Sequence, residues 1–278
     1  MLASAFALVL AAQDTGRIST LTGDIRVHEG MKSEILGRER TISVWLPPGY
    51  DAKKPGGYPT IYLLDGQKVF DGARSFIPTQ EWRADEAAQA MVNAKLIPPI
   101  ILVAVDNAGA ERLNEYTPIS RISNEGEIGG QGDKFGRYLM EEVMPWVQEN
   151  YASSGKGSET GIVGSSLGGL ISFHLATKHP EKFGLAGVMS PSFWWAEGWQ
   201  IKQVADWSVK PKVKIWMDMG MAEGEQMLIP VRAMREELLK KGFIENQDLI
   251  FFEESRTGHN ERAWAGRIDM CLKFLVGT

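Results

Sequence analysis

Short runs of β-branched and other apolar residues recur along the chain, separated by segments with helical spacing. The later runs are continuously apolar, as in Ile100–Val105, which is typical of parallel strands that are buried on both faces. Eight runs predict strands: Ile25–His28, Arg40–Leu46, Thr60–Leu64, Ile100–Val105, Thr160–Val163, Gly184–Met189, Val213–Met219 and Leu249–Glu253. Their alternation with helices indicates an α/β fold, so we predict an eight-stranded, mostly parallel central sheet with helices on both faces.

Apolar residues at three- and four-residue spacing predict the covering helices. One such stretch consists of Phe135, Leu139, Val143, Trp146, Val147 and Tyr151, and Pro145 is expected to bend this helix. Further helices are predicted after Ser166, Met227 and Glu261. Strand–helix–strand connections place functional loops at the carboxyl ends of the strands. The chemistry is therefore expected at that edge of the sheet.

The opening segment, residues 1–13, is an uncharged apolar run that ends in small residues. It resembles the apolar region and cleavage site of a secretory signal peptide, although a positively charged start is missing. We therefore assign residues 1–22 to a signal peptide remnant and lead-in, and predict a periplasmic or secreted protein. The alternative is a start-site or cloning remnant on a cytoplasmic protein. No stretch reaches transmembrane length, so no integral membrane segment is predicted.

The rest of the chain, residues 23–278, is predicted to be one domain, because no repeat or low-complexity tract marks a linker. The 30 basic and 35 acidic side chains give a net charge of -5 without a basic cluster, which argues against nucleic acid as a partner. Cys271 is the one cysteine, and the four histidines lack metal-ligand spacing. We therefore predict no metal and no cofactor.

The motif Gly164–Gly169 carries the strongest chemical signal, because it follows a predicted strand and opens a predicted helix. In a strand–turn–helix elbow the nucleophile has a strained backbone, and the residues two before and two after it must be small. Only Ser166 has glycine at both positions, so Ser166 is the predicted nucleophile. The alternative, a phosphate-binding turn, would favour a lysine where Leu170 stands.

A serine nucleophile needs a general base to take its proton. His28 lies in an early strand, and His174 and His179 lie in and just after the helix behind Ser166, so structural roles are expected for these three. His259 follows the last predicted strand, where a loop can bring it over the elbow. His259 is therefore the predicted base.

The third member of a triad should be a carboxylate between the nucleophile and the histidine in sequence. Asp218, Glu223 and Glu225 follow or continue the strand that begins at Val213. Asp218 continues the strand and should lie too early, which leaves Glu223 and Glu225 as candidates.

Taken together, six stretches make the chain from about Gly23 onward resemble an esterase family of α/β-hydrolases. This family includes enterochelin esterases, esterase D, feruloyl esterases and the antigen 85 mycolyltransferases. The stretches are Tyr62–Gly66, Arg112 with Glu115–Pro118, Gly164–Gly169, His179–Pro180, Ser190–Trp195 and Gly258–His259. The resemblance implies an α/β-hydrolase fold without a large cap domain. It also selects Glu223, three residues after Gly220, as the acid, with Glu225 as the runner-up.

The same resemblance and the logic of the superfamily predict the groups that bind the oxyanion and the substrate. Two backbone N–H groups should form the oxyanion hole, those of Leu167 and Gln67. The aromatic loop that contains Trp194 and Trp195 could line an acyl or aryl pocket, or could only cover its own small core. Arg112 either meets an anionic substrate or clamps a loop.

These residues predict a serine carboxylic ester hydrolase that acts through a Ser–His–Glu triad and an acyl-enzyme. The expected partner is a small-molecule ester, either short-chain or aryl, with siderophore, feruloyl and acetyl esters as candidates. Two alternatives remain, an acyltransferase of the antigen 85 type and a non-catalytic binding protein with this fold. The sequence does not predict an oligomeric state.

Overall fold

The computed structural model describes residues 17–124 and 126–277. The predicted signal segment, residues 1–13, lies outside them. The strands are β1 (Asp24–Ser33), β2 (Arg38–Leu46), β3 (Thr60–Leu64), β4 (Ile101–Val105), β5 (Ser120–Ser123), β6 (Gly126–Gly129), β7 (Thr160–Ser165), β8 (Leu185–Met189), β9 (Lys214–Gly220) and β10 (Leu249–Glu254). The helices are α1 (Ala84–Asn93), α2 (Arg112–Glu115), α3 (Gly132–Arg137), α4 (Met144–Asn150), α5 (Leu167–Lys178), α6 (Trp195–Ala205), α7 (Glu225–Lys240), α8 (Glu261–Ala265) and α9 (Ile268–Val276).

All eight predicted strands lie in one sheet with the order β1-β2-β4-β3-β7-β8-β9-β10. Strands β1, β2 and β4 pair antiparallel, and the pairs from β4 to β10 are parallel. The prediction of a mostly parallel eight-stranded sheet is confirmed. Because the six parallel strands share one direction, their carboxyl ends meet at one edge.

The alternation of side chains along a strand divides the core between the two faces of the sheet. In β3, Tyr62 and Leu64 pack on one face with residues of α5 and α7, whereas Ile61 and Leu63 pack on the other with residues of α1 and α9. Every residue of β3 is buried. A run that is apolar at every position is thus explained by helices on both faces, as predicted.

The segment between β4 and β7 departs from the predicted pattern in two ways. The small antiparallel hairpin β5–β6 was not expected, because its short polar strands show no apolar alternation. The predicted helix Phe135–Tyr151 consists of α3 and α4 joined by a π-helical segment, Tyr138–Val143, which directly precedes the turn with Pro145. In the described ranges, no helix has the length and apolar character required to cross a membrane.

Candidate active site

Ser166 lies in the turn between β7 and α5, at the carboxyl edge of the sheet. Its backbone has φ 60° and ψ −123°, a conformation that is strained for a residue with a side chain. The turn is held by its N–H, which donates to the Met189 carbonyl at 3.0 Å. Ser166 is half-buried, whereas the neighbouring Ser165 is fully buried in β7. The strained turn therefore presents the Ser166 hydroxyl at the edge of the sheet.

The glycines of this turn are needed to different degrees. A Cβ at Gly164 would lie 2.4 Å from the Gly168 carbonyl oxygen, so no side chain fits there. A Cβ at Gly168 would find its nearest neighbour, Asp65 Oδ2, at 3.4 Å, which is ordinary contact. Close packing of strand against helix thus explains glycine at 164 more strictly than at 168.

His259 lies in the loop between β10 and α8, and its Nδ1 is 2.6 Å from Glu223 Oε2. A carboxylate can only accept, so Nδ1 carries the hydrogen and Nε2 is left to accept a proton. The imidazole also meets the Trp264 ring edge-on, with centroids 5.0 Å apart. The other three histidines have partners elsewhere: Tyr151 for His28, Gln200 and Asp133 for His174, and Glu181 for His179.

Glu223 lies in a 3-10 turn directly after β9, and its side chain is fully buried. Oε1 accepts hydrogen bonds from the Ser190 hydroxyl at 2.6 Å and the Gly220 N–H at 2.9 Å. Burial would raise the pKa of Glu223, but the hydrogen bonds from His259, Ser190 and Gly220 outweigh burial and hold the pKa below its ordinary value. Glu223 is therefore an anion beside His259 at neutral pH.

The two other acidic candidates lie elsewhere. Glu225 begins α7 with its side chain exposed. Asp218 is fully buried in β9, where it pairs with Arg267 at 3.1 Å. Of the three carboxylates considered from the sequence, Glu223 is the one that contacts His259.

The serine and the histidine are not hydrogen-bonded to each other in the described structure. The Ser166 hydroxyl instead lies 3.4 Å from the Ser192 hydroxyl, and the Ser192 N–H donates to the Ser166 carbonyl at 3.0 Å. Serine–histidine bonds of this kind are often long without substrate and tighten when it binds. The structure thus brings Glu223 and His259 together and places Ser166 at the same edge of the sheet.

Two backbone N–H groups of the site have no acceptor among the described residues. Leu167 is the first residue of α5, so its N–H has no preceding helical carbonyl to which it could donate. Gln67 follows Asp65, which has a left-handed backbone with φ 60°, and only the Gln67 side chain is engaged, accepting from the Asn107 N–H at 3.0 Å. Both amides are free to bind a developing oxyanion.

Arg112 supports the turn that carries Gln67. Its guanidinium binds both carboxylate oxygens of the fully buried Asp65, at 2.5 and 2.7 Å. Burial would raise the pKa of Asp65, but Arg112, with smaller contributions from Lys68 and Asn107, offsets burial and keeps the pKa below its ordinary value. The structure therefore favours a loop clamp over a contact with an anionic substrate.

The two tryptophans predicted to bind substrate have different environments. Trp195 is 2% exposed, and its indole N–H donates to the Ile119 carbonyl at 2.7 Å. The Arg121 guanidinium also lies over this ring, 4.5 Å from its centroid. The structure therefore favours a core role for Trp195, and a contact between Trp195 and a substrate stays a prediction. Trp194 is half-buried and lies beside the Arg121 guanidinium, 5.6 Å from its ring centroid. Trp194 remains the candidate for the pocket.

The sequence prediction assigned no role to Ser190 and Ser192, although both lie in the stretch Ser190–Trp195 that carried the resemblance. The signal was their position after a buried strand, at the edge where the chemistry was expected. No group of three His, Cys, Asp or Glu side chains in residues 17–124 and 126–277 is arranged to hold a metal ion.

Comparison with known proteins places the chain in a family. The family model described as "Putative esterase" matches residues 33–275. The uncharacterized protein YbbA of Bacillus subtilis is 27% identical over 260 residues, which cover 90% of this chain and 97% of that protein. The iron(III) salmochelin esterase of Escherichia coli is 26% identical over 262 residues, which cover 87% of this chain and 56% of that protein. This chain thus spans little more than half the length of the salmochelin esterase.

A solved structure, that of the BES protein from Bacillus cereus, has a TM-score of 0.70 and 23% identity, covering 93% of this chain and 97% of that one. At this identity the likeness shows the fold, which is that of the α/β-hydrolases. Since the family model spans nearly all of the described residues, the chain belongs to the esterase family and is a carboxylic ester hydrolase.

Proposed function

We propose that the chain hydrolyses small esters through an acyl-enzyme on Ser166, with His259 as the general base and Glu223 as the acid. The observation that carries the proposal is the hydrogen bond of 2.6 Å between His259 Nδ1 and the buried Glu223 carboxylate. That bond leaves His259 Nε2 as the acceptor that a serine hydroxyl requires. The elbow conformation of Ser166 at the same edge supports its role as the nucleophile.

In the first step, Ser166 Oγ attacks the ester carbonyl while its proton passes to His259 Nε2. The Leu167 and Gln67 N–H groups stabilise the oxyanion, each good donor being worth roughly 2.7 to 4 kcal/mol. Collapse of the intermediate expels the alcohol, which takes the proton from His259. A water molecule then releases the acid by the same steps, so both half-reactions depend on the Glu223–His259 pair.

We propose short-chain or aryl esters as substrates, with Trp194 lining the acyl pocket. The half-buried Trp194 ring supports this, because it follows Ser192, whose hydroxyl lies 3.4 Å from that of Ser166. The salmochelin esterase among the relatives keeps siderophore esters among the candidates, beside feruloyl and acetyl esters. We further propose one catalytic domain over residues 23–278 and a periplasmic or secreted location, the latter supported by the apolar opening segment.

The test is hydrolysis of p-nitrophenyl esters from acetate to palmitate, and of methyl ferulate, by the unaltered protein and Ser166→Ala. Loss of more than about 1,000-fold in kcat for the cleaved esters is expected, because no other hydroxyl in the described part of the chain has the elbow position. Ser165→Ala is the matched control: its buried hydroxyl finds no partner among the described residues, so activity should persist. Turnover retained by Ser166→Ala, with the fold intact by circular dichroism, would refute the proposal.

A further inference from the structure

A buried polar network lies behind the Glu223–His259 pair and connects four segments of the chain. Ser190 directly follows β8, Glu223 lies in the turn directly after β9, Thr257 lies in the histidine loop, and Arg267 lies between α8 and α9. Arg267 is fully buried. Its contacts are with Ser190 Oγ at 3.0 Å, Asp218 Oδ1 at 3.1 Å, Glu254 Oε2 at 2.9 Å and Thr257 Oγ1 at 3.2 Å.

The hydrogen-bond chemistry fixes the direction in which the Ser190 hydroxyl donates. Its oxygen receives the Trp264 indole N–H at 3.0 Å and an Arg267 guanidinium N–H at 3.0 Å. Indole and guanidinium can only donate, so both lone pairs of Ser190 Oγ are occupied. The one hydroxyl proton must then point at Glu223 Oε1, which lies 2.6 Å away.

The backbone of Ser190 has an unusual conformation that fixes the position of its hydroxyl. It has φ 40°, which is unusual for serine, and its N–H donates to the Asp218 carbonyl at 3.0 Å. A strained backbone persists only where its surroundings impose it. Arg267 meanwhile holds Asp218 on one side and the histidine loop, through Thr257, on the other.

From this geometry we infer that Ser190 and Arg267 are positioning residues that orient the Glu223 carboxylate and, through it, His259. The inference rests on the proposed function. Both residues are fully buried, which leaves them no surface for contact with an ester. Each should therefore act on the rate of the chemical steps and leave substrate binding unchanged. An arginine that merely neutralised Asp218 and Glu254 would stabilise the fold without any effect that depends on Glu223.

The test is a double-mutant cycle with Ser190→Ala, Glu223→Ala and the double variant, measured with p-nitrophenyl acetate. Loss of one hydrogen bond to a carboxylate predicts a fall in kcat of about 10- to 100-fold for Ser190→Ala, with KM unchanged within about twofold. In the Glu223→Ala background the same substitution should have no further effect, since Ser190 acts through that carboxylate. Ser172→Ala is the matched control, because this buried hydroxyl has no partner in the described ranges and lies away from the network.

Arg267→Lys gives a second reading, because a lysine keeps the charge and cannot make the same set of directed contacts. We expect the kcat of Arg267→Lys to fall with KM unchanged. If this variant does not fold, the Ser190 cycle still tests whether the network acts through Glu223. Unchanged kcat in Ser190→Ala, or losses that multiply in the double variant, would overturn the inference and leave the proposed triad standing. Full activity of Glu223→Ala would overturn the proposed triad and the inference with it.

Discussion

Replacing Glu223 by glutamine changes one atom and leaves the shape of the side chain intact. The carboxylate accepts from three donors: His259 Nδ1, the Ser190 hydroxyl and the Gly220 N–H. A glutamine amide has one accepting oxygen and one donating NH2 group. If the oxygen faces His259, the NH2 group meets donors at Gly220 and Ser190. If the amide is flipped, the NH2 group faces Nδ1 and forces the hydrogen onto Nε2, so His259 cannot take a proton from Ser166.

The size of the effect follows from the buried geometry. When His259 becomes charged during reaction, the fully buried Glu223 carboxylate lies 2.6 Å from its Nδ1. Unit charges with centres ~4 Å apart interact by about 4 kcal/mol at an effective dielectric constant of about 20, which is about 1,000-fold in rate. The wrong tautomer adds to this loss, so we expect kcat/KM to fall about 1,000- to 10,000-fold.

The assay is kcat/KM for p-nitrophenyl acetate, with the Tm measured alongside to separate chemistry from folding. Glu225→Gln is the matched control, because it makes the same atomic change two residues away on an exposed side chain. That variant should retain full activity. A Glu223→Gln variant within about tenfold of the unaltered protein would refute the reasoning.

Further predictions concern the elbow, the pH dependence of stability and the aromatic loop. Gly164→Ala should lower the Tm and abolish activity, because its Cβ would lie 2.4 Å from the Gly168 oxygen, whereas Gly168→Ala should be milder; equal melting curves would contradict this. Burial raises the pKa of Asp106 to about 6, so between about pH 4 and 6 the folded state keeps a proton that the unfolded state releases. The contribution of Asp106 to stability should therefore fall as the pH rises from about 4 to 6, and the urea midpoint of Asp106→Asn should change less over this range than that of the unaltered protein. Trp194→Ala should raise KM for aryl esters without lowering the Tm, whereas Trp195→Ala should cost about 3 to 5 kcal/mol of stability in denaturant titrations. An unchanged KM together with a lowered Tm in Trp194→Ala would refute the pocket.

The sheet could be predicted because burial of a strand on both faces produces a local sequence pattern. Every residue of a run such as Ile101–Val105 must be apolar when helices cover both sides, and this is visible without knowing which helices they are. The hairpin β5–β6 has no such apolar run, since its strands are short, polar and contain no buried residue. Pairing between such strands depends on the elements around them.

The sequence alone determined the position of the elbow and of the histidine. The close approach of the Gly168 carbonyl requires glycine at position 164, and these residues stand close to Ser166 in sequence, so the elbow could be recognised from a short motif. Chain order was enough to separate His259 from the other histidines. The residue pattern left Glu223 and Glu225 open, and the family resemblance selected Glu223. The tertiary structure brings the Glu223 carboxylate to His259, because the two glutamates lie on opposite sides of the boundary between a 3-10 turn and a helix. It also decided that Trp195 belongs to the core and that Ser190 meets Arg267. Such contacts join residues far apart in the chain, so they depend on how whole elements pack and leave no local pattern.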